Sequence, residues 1–184
     1  AGQITDHPVD VQECSGEQAS FRVVITGNNL SFQWELNGTP LIDDARITGS
    51  QMPYLTVTGL MSTDQGIYRC VVTDGCGVIH NSDAAELTVY DPLTITGISM
   101  GDTLCTGQSI TLSISATGSN LTYQWLRNGI SISDGGGITG TTTSSLVIAN
   151  IIPAYSGYYS CIITGSCGTV VTGAIPVLVN SPVQ

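Results

Sequence analysis

The seven-residue block Asp64-Gln-Gly-Ile-Tyr-Arg-Cys70 returns 91 positions later as Tyr155-Ser-Gly-Tyr-Tyr-Ser-Cys161. The register holds along the chain. Cys14 aligns with Cys105, Gly16 with Gly107, Trp34 with Trp125, Asn37-Gly38 with Asn128-Gly129, Leu55 with Leu146, and Cys76-Gly77 with Cys167-Gly168. Coincidence of this kind without a gap identifies a tandem repeat. The 184 residues therefore read as two domains, 1–91 and 92–184. Each has room for one modest core. The connection Tyr90-Asp91-Pro92 is short and carries a proline, which predicts a stiff joint. Asn180-Ser-Pro-Val stands at the matching place in the second repeat and reads as the start of a linker to a further one.

Each repeat is β throughout. Phe21-Arg-Val-Val-Ile and Ile110-Thr-Leu-Ser-Ile114 alternate in the manner of half-buried strands. Leu30-Ser-Phe-Gln-Trp34 and Leu121-Thr-Tyr-Gln-Trp125 run into Asn-Gly pairs that suit two-residue hairpin turns. Tyr54-Leu-Thr-Val57 and Ser145-Leu-Val-Ile148 supply another strand each. No window sustains a helical period.

Both repeats resemble immunoglobulin-like domains of the I-set/V-set type, on Gln-Trp in strand C, Leu-x-Val/Ile in strand E and Gly-x-Tyr-x-Cys in strand F. More narrowly they resemble the immunoglobulin-like repeats of large bacterial surface and secreted proteins, on Cys14-Ser-Gly16, Cys105-Thr-Gly107, Cys76-Gly77 and Cys167-Gly168. The resemblance implies an all-β fold of two tandem sandwiches. It makes Trp34 and Trp125 core residues and Tyr68 and Tyr159 tyrosine corners. It also implies a salt bridge between Arg46 and Asp64, replaced in the second repeat by Gly137 and Tyr155. The implied role is that of a spacer or adhesive segment.

The cysteines depart from the antibody pattern, in which strand F is bonded to strand B. The strand B positions here are Val23 and Ile114, so Cys70 and Cys161 are expected to be core residues without a bond between the sheets. The other four, Cys14, Cys76, Cys105 and Cys167, are candidate disulfide cysteines. The family pattern favours Cys14 with Cys76. A sandwich about 20 Å tall, with strands rising about 3.3 Å per residue, places those two turns at opposite poles. A disulfide needs Cα atoms within about 7 Å, which favours Cys14 with Cys167 across the joint and leaves Cys76 and Cys105 for flanking repeats. Both pairings remain open at this point.

Charge narrows the partners. Only 10% of residues are charged, none is lysine, and the formal net charge is −10. Residues 1–91 carry twelve acids against Arg22, Arg46 and Arg69, a net −9; residues 92–184 carry Asp102, Asp134 and Arg127, a net −1. Phosphate neutralisation needs clustered Lys and Arg, so neither nucleic acid nor an anionic membrane is an expected partner. No apolar stretch is long enough for a spanning helix, and none is expected to insert in a membrane. Six cysteines beside two histidines point to an oxidising, extracellular setting.

Chemistry is sparse. Catalytic triads, paired carboxylates, phosphate-cradling loops and zinc spacings are all missing, so neither an enzyme nor a cofactor or metal is expected. Asp91 and Asp102 are the one conceivable calcium pair, since the remaining acids are scattered over turns. His7 and His80 read as surface residues. Asn29, Asn37 and Asn120 head Asn-x-Ser/Thr sequons. The expected function is an extracellular structural or adhesive unit that meets neighbouring repeats or like chains. The alternative is a module of an adhesin or secreted enzyme that binds a surface glycan or protein.

Overall fold

Alternating burial along short segments gives strands, and the first repeat runs as eleven of them. These are β1 (Gln3–Asp6), β2 (Val11–Cys14), β3 (Gln18–Arg22), β4 (Val24–Thr26), β5 (Ser31–Leu36), β6 (Thr39–Pro40), β7 (Ile47–Thr48), β8 (Tyr54–Thr58), β9 (Gly66–Thr73), β10 (Ile79–Asn81) and β11 (Ala85–Tyr90). The second repeat has β12 (Thr94–Ile98), β13 (Asp102–Cys105), β14 (Ile110–Thr117), β15 (Thr122–Arg127), β16 (Ile130–Ser131), β17 (Ile138–Thr139), β18 (Ser145–Ile148), β19 (Gly157–Gly165), β20 (Gly168–Val171) and β21 (Ile175–Asn180). The computed structural model describes Gly2 to Ser181. It divides into two units between Tyr90 and Asp91.

In the first unit one sheet is ordered β2-β11-β9-β5-β6, with β10 also on β9; β3-β8-β7 and β1-β4 form the opposite layer. The second unit repeats this as β13-β21-β19-β15-β16, with β20 on β19, against β12-β14-β18-β17. The first strand of each unit is divided between the layers. Its second part runs parallel to the last strand, which sets Cys14 opposite Tyr90 and Cys105 opposite Asn180.

Each core lies between the layers. Trp34 on β5 faces its register partner Cys70 on β9, and both are fully buried. Trp125 and Cys161 repeat the pair on β15 and β19. Each indole Nε1 donates to a loop carbonyl, Met52 O at 2.9 Å and Thr143 O at 2.8 Å, so the polar end of the ring is satisfied inside. Phe21 stacks on Tyr68 at 4.5 Å between centroids; Leu112 holds its place in the second unit. Val23 and Ile114 are buried where a strand B cysteine would stand.

Local chemistry fixes the turns. Asn37-Gly38 and Asn128-Gly129 all have positive φ, between 52° and 80°, as a two-residue turn of this hand demands. Gly49, in Ile47-Thr-Gly49, has φ +82°, and a Cβ there would lie 2.0 Å from Tyr54 O. Its counterpart Gly140 is equally closed, at 2.2 Å from Ser145 O. Only glycine fits, which explains why the tripeptide recurs.

Two details correct the sequence reading. The strand expected at Phe21-Arg-Val-Val-Ile is interrupted at Val23, whose N–H donates to Pro53 O in a loop instead of to the ladder. The 91-residue register also ends at Gly77. In the first unit Thr73 pairs with Ile79 across a five-residue loop, Asp74–Val78. In the second Gly165 pairs with Gly168 across Ser166-Cys167 alone. Val78 has no counterpart, and from there the offset is 90; thus Ser82 Oγ and Thr172 Oγ1 accept from the N–H of Cys70 and Cys161, each at 2.9 Å.

With no disulfide between its sheets, each unit depends on its indole for spacing. Trp34→Ala is expected to cost about 3–5 kcal/mol, measured as a lowered urea midpoint for the first unit with the second unit's transition unchanged.

Candidate functional site

Apart from the core pairs Trp34–Cys70 and Trp125–Cys161, the residues singled out by sequence lie toward the two poles of each sandwich. At one pole, Gly66 and Gly157 open the long strands β9 and β19. Two residues on, a buried tyrosine hydroxyl turns back to the backbone: Tyr68 donates to Asp64 O and Tyr159 to Tyr155 O, both at 2.8 Å. Burial pushes the Tyr68 hydroxyl up to about 12, so it remains a donor at every physiological pH.

In the first unit this pole is closed by Arg46 and Asp64. The guanidinium meets the carboxylate through Nη1 at 2.8 Å and Nη2 at 3.2 Å, and also donates to Gly59 O at 3.3 Å. The second job of Asp64 is to accept the Met61 N–H at 2.8 Å, which caps the short turn Ser62–Asp64. Burial pushes the Asp64 carboxyl up, but the Arg46 fork and the Met61 N–H outweigh it and hold it below its ordinary value. The second unit closes the same place without charge pairing. Tyr155 Oη donates to Gly136 O at 2.5 Å, and Arg127 lies 5.8 Å from the Tyr155 ring centre while donating to Ala154 O. Sequence reading missed this tie. The signal was available in Tyr155 standing where Asp64 stands, with a Gly-rich loop in place of Arg46.

The opposite pole carries Cys76 and Cys167. Asp74 organises the longer loop: Oδ1 accepts from Cys76 N at 2.9 Å and Val78 N at 3.1 Å, and Oδ2 meets His80 Nε2 at 3.2 Å. The Val78 N–H, then His80 and the Cys76 N–H, pull its carboxyl down to about 2. His80, expected at the surface, is thus half-buried in a loop clamp. His7 Nδ1 accepts the Asp83 N–H at 2.8 Å.

Cys70, Cys76, Cys105 and Cys161 carry free thiols. With Cys76 free, the family pairing of Cys14 with Cys76 is not made. The reason is topological, since Cys14 lies at the Tyr90 end of β11 and Cys76 in the loop at the far end of β9. Burial pushes the Cys70 thiol up to about 12 and the Cys161 thiol in the same direction, whereas Cys76 and Cys105 face solvent.

No chemistry converges elsewhere among the described residues. No three potential metal ligands cluster, and Asp102 turns its Oδ1 to the N–H of Thr103. An open groove of about 420 Å³ in the second unit is lined by Tyr158, Pro176 and Leu178, with Asp102 the one ionisable carboxylate. Among the described residues no helix is long and apolar enough to cross a membrane.

Two mainly antiparallel layers around a buried tryptophan, with a tyrosine corner entering the long strand, define an immunoglobulin-type sandwich. The chain belongs to the immunoglobulin family: residues 2–89 match the immunoglobulin I-set domain and residues 94–164 the immunoglobulin domain. It is 33% identical over 155 residues to cell adhesion molecule DSCAML1 of Mus musculus, covering 80% of this chain and 7% of that protein. It is 28% identical over 177 residues to hemicentin-1 of Homo sapiens, covering 95% of this chain and 3% of the relative. The chain thus spans under a tenth of either. Sidekick-1 immunoglobulin domains 1–4 superpose with a TM-score of 0.81 at 20% identity, over 97% of this chain and 48% of that one. The insect immune protein hemolin, described with implications for homophilic adhesion, gives 0.63 at 24% identity over 97% and 47%. At such identities the likeness concerns the fold. The relatives are animal proteins, which corrects the narrower resemblance to bacterial repeats. Of the residues behind it, Gly16, Gly77, Gly107 and Gly168 answer a backbone need, each taking positive φ at a turn.

Acid should act on the two units unequally. A carboxyl held low in the fold stabilises it above the ordinary value and loses that contribution as pH falls through the folded one. For Asp74 the window runs from 3.8 down to about 2. Asp43, Asp44 and Asp64 are also held low in the first unit, against Asp134 in the second. Between pH 4 and pH 2 the first unit's amide resonances are expected to collapse at lower temperature than the second's, and Asp74→Asn to narrow the gap. Thiol labelling should also divide by burial. Cys76 and Cys105 are expected to alkylate in the native protein, and Cys70 and Cys161 only on unfolding, as read by peptide mass.

Proposed function

We propose that this chain is an extracellular, non-catalytic segment that acts structurally and adhesively by meeting like immunoglobulin-type domains. One observation carries the reading: the polar groups that sequence reading flagged are engaged within each sandwich. The indoles, both tyrosine corners, Arg46-Asp64 and Asp74-His80 all bond inward, and no described buried side-chain N or O lacks a partner. What remains for function is surface, and the relationship to a cell adhesion molecule supports its use in contact.

Charge shapes how such contact would form. The first repeat carries a net −9 and repels its own kind, while the second carries −1 and offers little opposition. A second reading has one observation in its favour. Tyr158 is 63% exposed at the groove of the second unit, where Ile67 stands in the first. An exposed aromatic at a groove position that the first repeat fills with an aliphatic side chain suits a glycan or protein ligand.

Beads coated with the chain separate these readings. They are expected to aggregate, and to do so more strongly as salt rises from low ionic strength toward about 0.15 M, where the screening length shortens to about 8 Å. Beads that stay dispersed at every salt concentration, together with saturable glycan-array binding abolished by Tyr158→Ala, would reverse the ranking.

A further inference from the structure

We propose that the seam where β13 meets β21 in the second unit is a contact surface for a second copy of this chain. What marks the seam is the charge it has lost. In the first unit the corresponding positions hold His7, Asp10, Asp83 and Glu86; in the second they hold Ile98, Gly101, Gly173 and Pro176. Two of the lost groups served the backbone. Asp10 Oδ1 accepts the Glu86 N–H and His7 Nδ1 the Asp83 N–H, both at 2.8 Å. Pro176 has no N–H to satisfy. Gly101 lies so close to it that a Cβ would stand 1.8 Å from Pro176 O, which shuts out a side chain such as that of Asp10.

An apolar strip replaces the charges. Two open grooves, of about 420 and 390 Å³, share Gly101 and Pro176. One runs past Tyr158 and Leu178 and the other past Ile98 and Ala174, while Met100 projects beside them, 90% exposed. The polar side chains along the strip are turned to the chain's own backbone. Ser99 Oγ accepts the Ser113 N–H and Ser156 Oγ the Val179 N–H, each at 2.9 Å, and Asp102 Oδ1 accepts the Thr103 N–H at 2.7 Å. A sugar needs convergent polar groups, and few are left for it. Nor does an added strand suit the place, since a proline offers no ladder donor. A partner that packs hydrocarbon side chains meets both conditions.

A second copy brings that hydrocarbon without bringing charge. Residues 92–184 carry a net −1, so two such units meet with little repulsion, whereas the first repeat, at −9, would set its acids against the strip. The strip also holds both halves of a self-complementary contact. Met100 is a flexible thioether that projects, and the groove at Tyr158 and Leu178 has the size of sites that take apolar groups. Turned about a two-fold axis, each copy's Met100 enters the other's groove, an isologous contact that closes as a dimer. Contact between like chains, the reading given above, is what this surface presupposes; the seam adds which repeat and which side chains make it.

Sedimentation equilibrium of the whole protein, at concentrations up to about 1 mM, tests the assignment. A reversible dimer is expected. Met100→Glu and Leu178→Glu each put an unpaired carboxylate into the contact and should raise the dimer dissociation constant about tenfold or more. Val9→Glu, at the place in the first repeat that matches Met100, should leave it unchanged. All three side chains are exposed, and unshifted urea midpoints confirm that the variants fold. Dimerisation that neither Met100→Glu nor Leu178→Glu weakens overturns the seam and leaves contact between like chains standing through another surface. A chain that stays monomeric across the range overturns both, and saturable glycan binding lost in Leu178→Glu then gives the groove to a sugar.

Discussion

The packing of an indole against a strand F cysteine is the constraint on which the rest of each sandwich depends. Trp34 and Trp125 fill the space between layers that stand about 10 Å apart, and each is held in depth by one hydrogen bond from Nε1. A disulfide would fix that spacing covalently. Here Val23 and Ile114 supply branched hydrocarbon in place of the second sulfur, and Cys70 and Cys161 act as small apolar side chains whose thiols burial keeps protonated. Close packing makes this arrangement sensitive to volume: at interior density, a change of one methylene is felt by every neighbour. The invariance of the pair across two otherwise divergent repeats follows from that sensitivity.

The poles are where the repeats differ, and the differences are physical alternatives for the same task. Arg46-Asp64 joins a loop to the turn before β9 by charge, while Tyr155 does so with a hydroxyl reaching the Gly136 carbonyl across 19 residues. The first solution is bidentate and pH-sensitive. The second places no new charge on a repeat whose net charge over residues 92–184 is −1. The fold is thus held constant while its surface electrostatics change, and the surface is the part a partner meets.

Legibility in the sequence follows from how local each requirement is. Trp34, Asn37-Gly38, Gly49 and Tyr68 could be read because each answers a demand set within a few residues: a strand face, a positive φ, a close backbone approach, a turn before a strand. The Asp74 clamp could not. It depends on Val78 and His80 folding back across a loop whose length shows only once Thr73 is seen to pair with Ile79. The residues just after Gly77 and Gly168 share no landmark, and the shift shows only farther on, where Pro92 and Pro182 stand 90 apart. The break at Val23 was equally hidden, since alternation in Phe21-Arg-Val-Val-Ile continues through it. The sites flagged as candidates were easy to name and hard to interpret, because a cysteine at a turn has the same sequence whether its sulfur is buried, exposed or bonded.

The missing residue also bears on how the hairpin cysteines are presented. Cys76 lies in the middle of a five-residue loop that would be loose without Asp74, whose carboxylate holds the N–H groups of Cys76 and Val78. Cys167 needs no such clamp, because Gly165 and Gly168 pair directly and leave a two-residue turn with little freedom. Both routes hold the loop of the sulfur-bearing residue against the segment before β5 or β15, through Asn28 in one domain and Ser119 in the other. Ordering a flexible loop costs conformational entropy when a contact forms, and a preordered one avoids that cost. Two unrelated means of fixing one position are hard to attribute to turn geometry alone, since a two-residue turn has no structural need of cysteine. The common factor is a cysteine whose loop is bonded to the segment before β5 or β15.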